Sequence, residues 1–341
     1  MSNICIPKVS IRCFTYNQGT FIQQCLDGFV MQKTNFHFAA ILVDDASTDN
    51  EPEVLWNFIN NELDSSTIQK DETEDYIRVV ALHKTNTHCI FIIIFLKYNH
   101  YSIKKNKRQY IMDLIEKSKY IAFCEGDDYW IDPHKLQRQV DFLENHPNYT
   151  ACFHNALVKY ENHLKDDKLM CNFKSGDFDT ARIVEYWQLP FASLLIQTKI
   201  FDTDEYKQIS TALGGGYSNF LAASRLGKTY GFSEAMSVYR KNDGGVSKTF
   251  KGHQDVVWDI NFKYAYFFND INSKKVFDKK AEKALVEKFL PQYFKRKEMG
   301  IKVVKVIRKY NKNIIYKAII KYPIHKFKIF TVNAFNLLLG Y

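Results

Sequence analysis

No apolar run in the chain approaches the roughly 18–20 residues of a membrane span; the longest, Cys89–Leu96, has eight. The stretch Met1–Asn17 lacks the apolar segment and small-residue cleavage site of a secretory signal, so the expected location is the cytoplasm. Glycine and proline are scarce, 14 and 7 in 341 residues, which excludes collagen-like and low-complexity chains. A hydrophobic content of 46%, with 15% aromatics, excludes disorder throughout. The seven cysteines are odd in number, form no C-x-x-C pair and mostly sit within apolar stretches. They are expected as reduced core residues, without disulfides or structural zinc. Acidic residues stop at Glu298: Met299–Tyr341 hold nine Lys/Arg and no Asp or Glu. The net charge of +9 belongs to that tail, because residues 1–298 balance at 38 against 38. A nucleic-acid binder would more often carry its basic stripe on the folded domain, so no nucleic acid is expected as partner.

Several nucleotide and hydrolase signatures are missing too. No G-x-G-x-x-G follows the first strand, and H-E-x-x-H and G-x-S-x-G do not occur. Gly227-Lys228-Thr229 resembles the end of a P-loop, but the glycine required five residues earlier is Ala222.

What is present is alternation. Lys8–Phe14 reads as a strand. Phe21–Met31 has helical spacing, with Thr20 as N-cap. Phe38–Val43 reads as a buried strand ending in Asp44-Asp45, after which Ser47 or Asp49 would cap a helix carrying Val54, Leu55, Phe58 and Ile59. Ile77–Leu82 and Tyr120–Cys124 are the third and fourth strands, and an amphipathic helix over Leu136–Leu143 follows Pro133. Further strands are expected at Leu194–Gln197 and Met236–Arg240, and a helix at Tyr217–Leu226. The run Cys89–Leu96 is either a buried strand or an insertion. Strands alternating with helices predict an α/β fold with a mostly parallel sheet.

The chemistry-bearing residues are acidic. Asp44 and Asp45 end the second strand, and Glu125, Asp127 and Asp128 end the fourth. Ligands of open parallel sheets bind at those carboxyl ends. Three carboxylates in four positions repel unless screened, and a hard divalent cation bridging to diphosphate oxygens does that. Acids after a strand also cap the next helix, a reading that stays open for Asp44 and Asp45. Lys104, Lys105, Lys107 and Arg108 are either a solvated helix face or a contact for nucleotide phosphates, the face being preferred.

The segments V-S-I-R-C-F-T-Y-N-Q (9–18), V-D-D-A-S-T-D (43–49) and C-E-G-D-D-Y-W-I-D-P-x-K-L-Q-x-Q-V-D-F-L (124–143) resemble glycosyltransferase family 2 of the GT-A fold, in its bacterial capsule and O-antigen polysaccharide subgroup. Asn99–Ser102, Phe153-His154-Asn155 and the stretch Val238–Val246 strengthen the resemblance, which covers roughly residues 8–248. It implies a GT-A domain over 1–248 with a helical basic segment over 249–341. It also implies inverting transfer of a sugar from a UDP-, dTDP- or GDP-sugar to an acceptor hydroxyl in surface polysaccharide biosynthesis. By the same resemblance, Thr15, Tyr16, Asp44 and Asp45 line the nucleoside pocket, with Asp45 accepting from the base. Glu125 and Asp127 occupy the D-x-D position, and with Asp128 hold Mg²⁺ or Mn²⁺. Tyr129 or Trp130 would floor the sugar or acceptor site, or pack.

Two positions depart from the family pattern. The aspartate expected as general base falls, in an ungapped reading, on Gly216, and Asn242 stands where the family often has histidine. Asp243 is then the candidate base. The alternative is a catalytically degraded member that only binds sugar nucleotide or glycan.

In the tail, Val303, Ile307, Tyr310, Ile314 and Ala318 share one helical face, opposite Lys305, Arg308, Lys309 and Lys312. This is either a helix packed on the domain or an interfacial segment on an anionic membrane. The latter suits a glycan or lipid-linked acceptor and a peripheral position on the inner membrane face.

Overall fold

A computed structural model of the chain describes residues 6–161, 165–186, 189–213 and 215–242, with Lys280, Ala281 and Ala284. Its elements begin β1 (Val9–Thr15), α1 (Ile22–Val30), β2 (Phe38–Asp44), α2 (Glu51–Glu62), β3 (Gln69–Glu72), β4 (Tyr76–Leu82) and β5 (Cys89–Leu96). They continue α3 (Met112–Ile115), β6 (Tyr120–Phe123), β7 (Tyr129–Trp130), α4 (Lys135–Asn145), β8 (Tyr149–Tyr160), β9 (Lys168–Leu169) and β10 (Gly176–Phe178). The last described are α5 (Thr180–Glu185), β11 (Leu195–Gln197), α6 (Asp204–Leu213), α7 (Tyr217–Leu226) and β12 (Lys228–Lys241).

All the strands join one sheet in the order β10-β12-β8-β11-β6-β1-β2-β5-β4-β3, with β7 added on β12 and β9 on β8. The predicted parallel arrangement forms its centre, where β6, β1, β2 and β5 run the same way. Antiparallel pairs extend it outward through β11 on one side and β4 and β3 on the other. The result is a mixed α/β fold with helices on both faces.

The undecided run Cys89–Leu96 is β5, buried at every residue between β2 and β4. Ile90, Ile92, Ile94 and Leu96 join the core on one face of the sheet, while Cys89, Phe91, Ile93 and Phe95 join the core on the other. A strand covered on both faces carries no polar alternation, which is why its sequence shows only a continuous run. On β1 the faces also divide: Val9, Ile11 and Cys13 pack with Leu26, Phe29, Leu55 and Leu136, and Arg12 and Phe14 point the other way.

The helix starts differ in detail from expectation. Thr20 does not cap α1; the helix opens after Phe21 with no side-chain cap. Neither Ser47 nor Asp49 is the N-cap of α2: Asn50 holds that position without a side-chain cap, and Asp49 Oδ1 accepts from the Glu51 N–H at 3.0 Å. The basic run is not a helix face: Lys107–Tyr110 is a single 3₁₀ turn, and buried or partly buried acceptors draw its side chains inward. Six cysteines are described, and all six are buried, as expected of core residues. Among the described residues no helix is long and apolar enough to cross a membrane. The tail helix over 302–320 and its membrane contact lie outside the described residues, and of the 249–341 segment only Lys280, Ala281 and Ala284 are described.

Candidate active site

Motifs far apart in sequence meet at the carboxyl ends of β1, β2 and β6. Asn17, in the left-handed region at φ 53°, accepts at Oδ1 from the Thr48 N–H (2.7 Å), and its own N–H donates to Ser47 Oγ (2.8 Å). The Gly19 N–H reaches Asp49 Oδ2 (2.9 Å) and the Gln18 N–H reaches Glu51 Oε2 (2.7 Å). The loops after β1 and β2 are thus zipped together, and a Cβ on Gly19 would collide with Asn50 at 2.1 Å. Gly126 completes the junction: a Cβ there would lie 2.3 Å from Thr15 Oγ1. Asp44 is buried and accepts from the Ser47 N–H (3.0 Å) and hydroxyl (2.5 Å), while burial raises its pKa. Glu51 is fully buried with Oε1 unpartnered, and burial pushes its carboxyl up to about 7. Thr15 is buried, and Tyr16 is exposed beside it.

Asp45 is fully buried, and its oxygens are engaged by the chain itself. Oδ1 accepts from the His100 N–H (2.7 Å), and Oδ2 from the Tyr101 N–H (3.1 Å) and Lys107 Nζ (2.9 Å). Its backbone carbonyl accepts from Asn99 Nδ2 at 3.1 Å. In this state Asp45 clamps the loop after β5 against β2 rather than facing a base. Lys105 bonds Asp75 (3.1 Å), whose carboxyl is held down at about 2 by hydrogen bonds from Tyr98, then Lys105 and Tyr110.

The three predicted metal ligands diverge. Glu125 pairs with Arg12 Nη2 at 2.8 Å. Asp128 is buried and accepts from the Arg240 N–H at 3.0 Å, and burial, then the charge of Asp127, raises its pKa strongly. Asp127 meets Asn242 Nδ2 at 3.5 Å; burial, then Glu125, raises its pKa. Among the described residues no three Asp, Glu, His or Cys side chains group as a metal site. Arg240, on β12, ties this corner together: Nε donates to the Asp127 carbonyl (2.7 Å), Nη2 to Gln24 Oε1 (2.6 Å), and Nη1 to Glu161. Asn242 Oδ1 is buried without a partner.

Trp130 does not floor a substrate site. It is 1% exposed, donates from Nε1 to the Ala192 carbonyl (2.8 Å) and meets Phe29 edge-on at 5.0 Å. Lys135 Nζ lies 3.8 Å from its ring centroid, and burial lowers that lysine to about 7. Pairing of β7 with β12 turns the indole into the core. Tyr129 is half-buried under the Arg240 guanidinium at 4.7 Å.

A cleft of about 640 Å³ opens beside Glu125, walled by the loop His100–Arg108 and by Phe191, Gly215, Gly216 and Tyr217. Glu125 is the one carboxylate among its lining residues. At Gly216, where a general base was expected, a Cβ would lie 2.6 Å from the Phe191 ring. Asp243 lies outside the described residues. The contributions of Arg12, Phe191 and Arg240 escaped sequence reasoning; an arginine inside an apolar strand was the one visible signal, at Arg12.

Residues 10–82, from β1 to β4, match the family model described as glycosyl transferase family 2. This chain is similar over 248 residues to an uncharacterized protein of Mycobacterium tuberculosis and to one of Mycobacterium bovis, each at 28% identity, spanning 70% of this chain and 60% of theirs. In fold it is similar to the crystal structure of S. aureus TarS 1–349 with UDP-GlcNAc, at TM-score 0.55 and 13% identity over 90% of this chain and 82% of that one. The UDP complex of the same protein gives TM-score 0.51 and 15% identity over 85% and 72%. The fold is the GT-A fold expected from the motifs, and its first strands carry the family 2 match.

Proposed function

We propose that the protein transfers a sugar, with inversion, from a nucleoside-diphosphate sugar to an acceptor hydroxyl in surface polysaccharide biosynthesis. The observation that carries this reading is the meeting of Thr15, Asp44–Asp45 and Glu125–Asp128 at one sheet end, zipped by Gly126 and Asn17. Thr15 and Tyr16 line the nucleoside side, and Asp45 sets the loop that closes over it. The oxygens of Asp127 and the unpartnered Asn242 Oδ1 suit Mg²⁺ or Mn²⁺, a hard cation that takes one or two protein ligands and fills its shell from substrate phosphates. A cation held there offsets charge growing on the departing diphosphate. Arg240 fixes the Asp127 backbone, so the carboxylate is presented without reorganisation. In a single displacement the acceptor oxygen bonds to the anomeric carbon as the bond to diphosphate breaks, and the hydroxyl proton passes to a base, for which Asp243 is the candidate. A glycan or lipid-linked acceptor at the inner membrane face suits the basic tail.

A second reading, a member that binds sugar nucleotide without turnover, is favoured by Gly216, whose missing side chain Phe191 replaces. Calorimetric titration of UDP, GDP and dTDP, with Mn²⁺ and with EDTA, tests the site; UDP comes first because the similarly folded TarS binds it. One nucleotide should bind wild type in a metal-dependent way and lose that dependence in Asp127→Ala. Absence of binding by any of them to folded protein overturns both readings, and binding without turnover selects the second.

A further inference from the structure

Behind the cleft lies a second, smaller pocket of about 90 Å³, and the two share Arg12 and Arg108 in their walls. Its polar lining is Arg12, Arg108, Tyr206 and Asn219; the rest is apolar, and no carboxylate is among its lining residues. A pocket of that volume has room for a carboxylate or a phosphate group.

Arg12 is the unusual member of β1. It is 7% exposed, with its guanidinium between the rings of Phe14, Phe123 and Phe191 at 4.6, 4.8 and 5.1 Å. One acceptor reaches it, Glu125 at Nη2, and Nε has no partner. A guanidinium has five N–H donors, and burying it without acceptors is costly. Arg108 brings a second guanidinium, bonded to Tyr206 Oη at 3.3 Å. Burial disfavours the Arg12 cation, the charge of Glu125 works against that, and the charge of Arg108 adds to it. Asn219, 1% exposed, donates from Nδ2 to the Gly216 carbonyl at 3.3 Å, and its Oδ1, an acceptor, offers no bond to an oxyanion, so the two guanidiniums are the charged donors of the pocket. Glu125 pairs with Arg12 and lines the cleft, and among the described residues no carboxylate pairs with Arg108. Asp127, where the donor diphosphate belongs, lines neither cavity.

We propose that this pocket is an oxyanion seat in which Arg12 and Arg108 hold a carboxylate or phosphate group. Two sources share that chemistry: an acidic sugar lying in the cleft, and a free phosphate ion. The first rests on the glycosyltransferase reading for the cleft's occupant; the second does not. An acidic sugar supplies further acceptors, whereas a neutral one leaves Arg12 with Glu125 alone and Arg108 with the Tyr206 hydroxyl, so the seat discriminates by charge.

Two arms test this on the full chain. In the first, UDP-glucuronate and UDP-glucose, which differ at a single carboxylate, are titrated into wild type, Arg12→Met and Arg108→Met. Charge-assisted hydrogen bonds of this kind set a preference of at least about tenfold for the uronate, abolished in both variants. Arg108→Met leaves the Arg12–Glu125 pair intact, so it separates loss of the seat from loss of that pair, and circular dichroism verifies the fold of each variant. In the second arm, inorganic phosphate should raise the Tm of wild type above a chloride control at equal ionic strength and leave the variants unmoved. A selective effect in the first arm assigns the seat to the sugar, and one in the second alone assigns it to free phosphate. Equal weakening of both sugar nucleotides in the variants, or no selectivity and no phosphate shift in wild type, overturns the seat. If neither sugar nucleotide binds wild type, the phosphate arm alone decides the pocket, and the titration of UDP, GDP and dTDP decides the functional reading separately.

Discussion

Gly216→Asp restores the carboxylate that the family resemblance expects, and the structure says that it will not fit. The added Cβ would lie 2.6, 2.8 and 2.9 Å from three atoms of the Phe191 ring. That ring cannot simply retreat: Phe123 lies 4.6 Å behind it, centroid to centroid, and the Arg12 guanidinium 5.1 Å away. Overpacking of this kind costs about 1–3 kcal/mol. A compensating gain is available, because Gly216 is the N-cap of α7 and already helical at φ −67°. Aspartate improves on glycine there by only a few tenths of a kcal/mol, so the clash wins. Urea unfolding of Gly216→Ala and Gly216→Asp should show both destabilised by about 1–3 kcal/mol, since they share the Cβ. In a Phe191→Ala background each cost should fall to within about 0.5 kcal/mol of zero, the double-mutant cycle assigning the penalty to that ring. Turnover should stay at the wild-type level in Gly216→Asp alone. Full stability of Gly216→Asp together with a rise in turnover of about 10² or more, the scale of general-base catalysis, would refute the reasoning.

Two further perturbations probe the surroundings of the site. Trp130→Phe leaves the buried Ala192 carbonyl without its donor and should cost about 1–3 kcal/mol of stability with nucleotide and acceptor affinity unchanged; weaker substrate binding at constant stability would return Trp130 to the substrate site. Glu51 has a folded pKa of about 7 against an ordinary 4.5, so the folded state holds its proton more tightly than the unfolded chain. Its contribution is fully present below pH 4.5 and is lost as pH rises through 7, by about 3 kcal/mol. Across that window wild type should lose stability relative to Glu51→Gln, and parallel Tm–pH curves would show that Glu51 does not titrate this way.

The alternation of strands and helices was legible at β1 and α4, which keep one period, and at β2, where a short apolar run ends in two aspartates. β5 was not, since burial on both faces erases the period that distinguishes a strand from an insertion. β3, reading Gln69-Lys70-Asp71-Glu72 with mostly exposed side chains, carries no apolar signal at all; its pairing with β4 alone makes it a strand. At the site, the motifs revealed which residues gather and concealed what each one touches. Asp45 was expected to accept from the base; the structure has it accepting from backbone N–H groups 55 and 56 residues away and from Lys107 Nζ. Trp130 followed two aspartates as if exposed, and only its strand pairing with Ser237 turns it inward. The absence of a side chain at Gly216 has its cause at Phe191, a contact with no local signature.

The outermost strand also has a colloidal consequence. Among the described residues the sheet ends at β3, whose outer row of N–H and C=O groups is of the kind that templates a strand from another molecule. β3 is four residues long and carries lysine, aspartate and glutamate, the first two engaged above its partner strand by the Trp56 ring and by Arg78. A second chain approaching that edge would have to desolvate charge to gain hydrogen bonds. The same four residues that give the fold no core therefore guard it against stacking into aggregates at the concentrations a cell maintains.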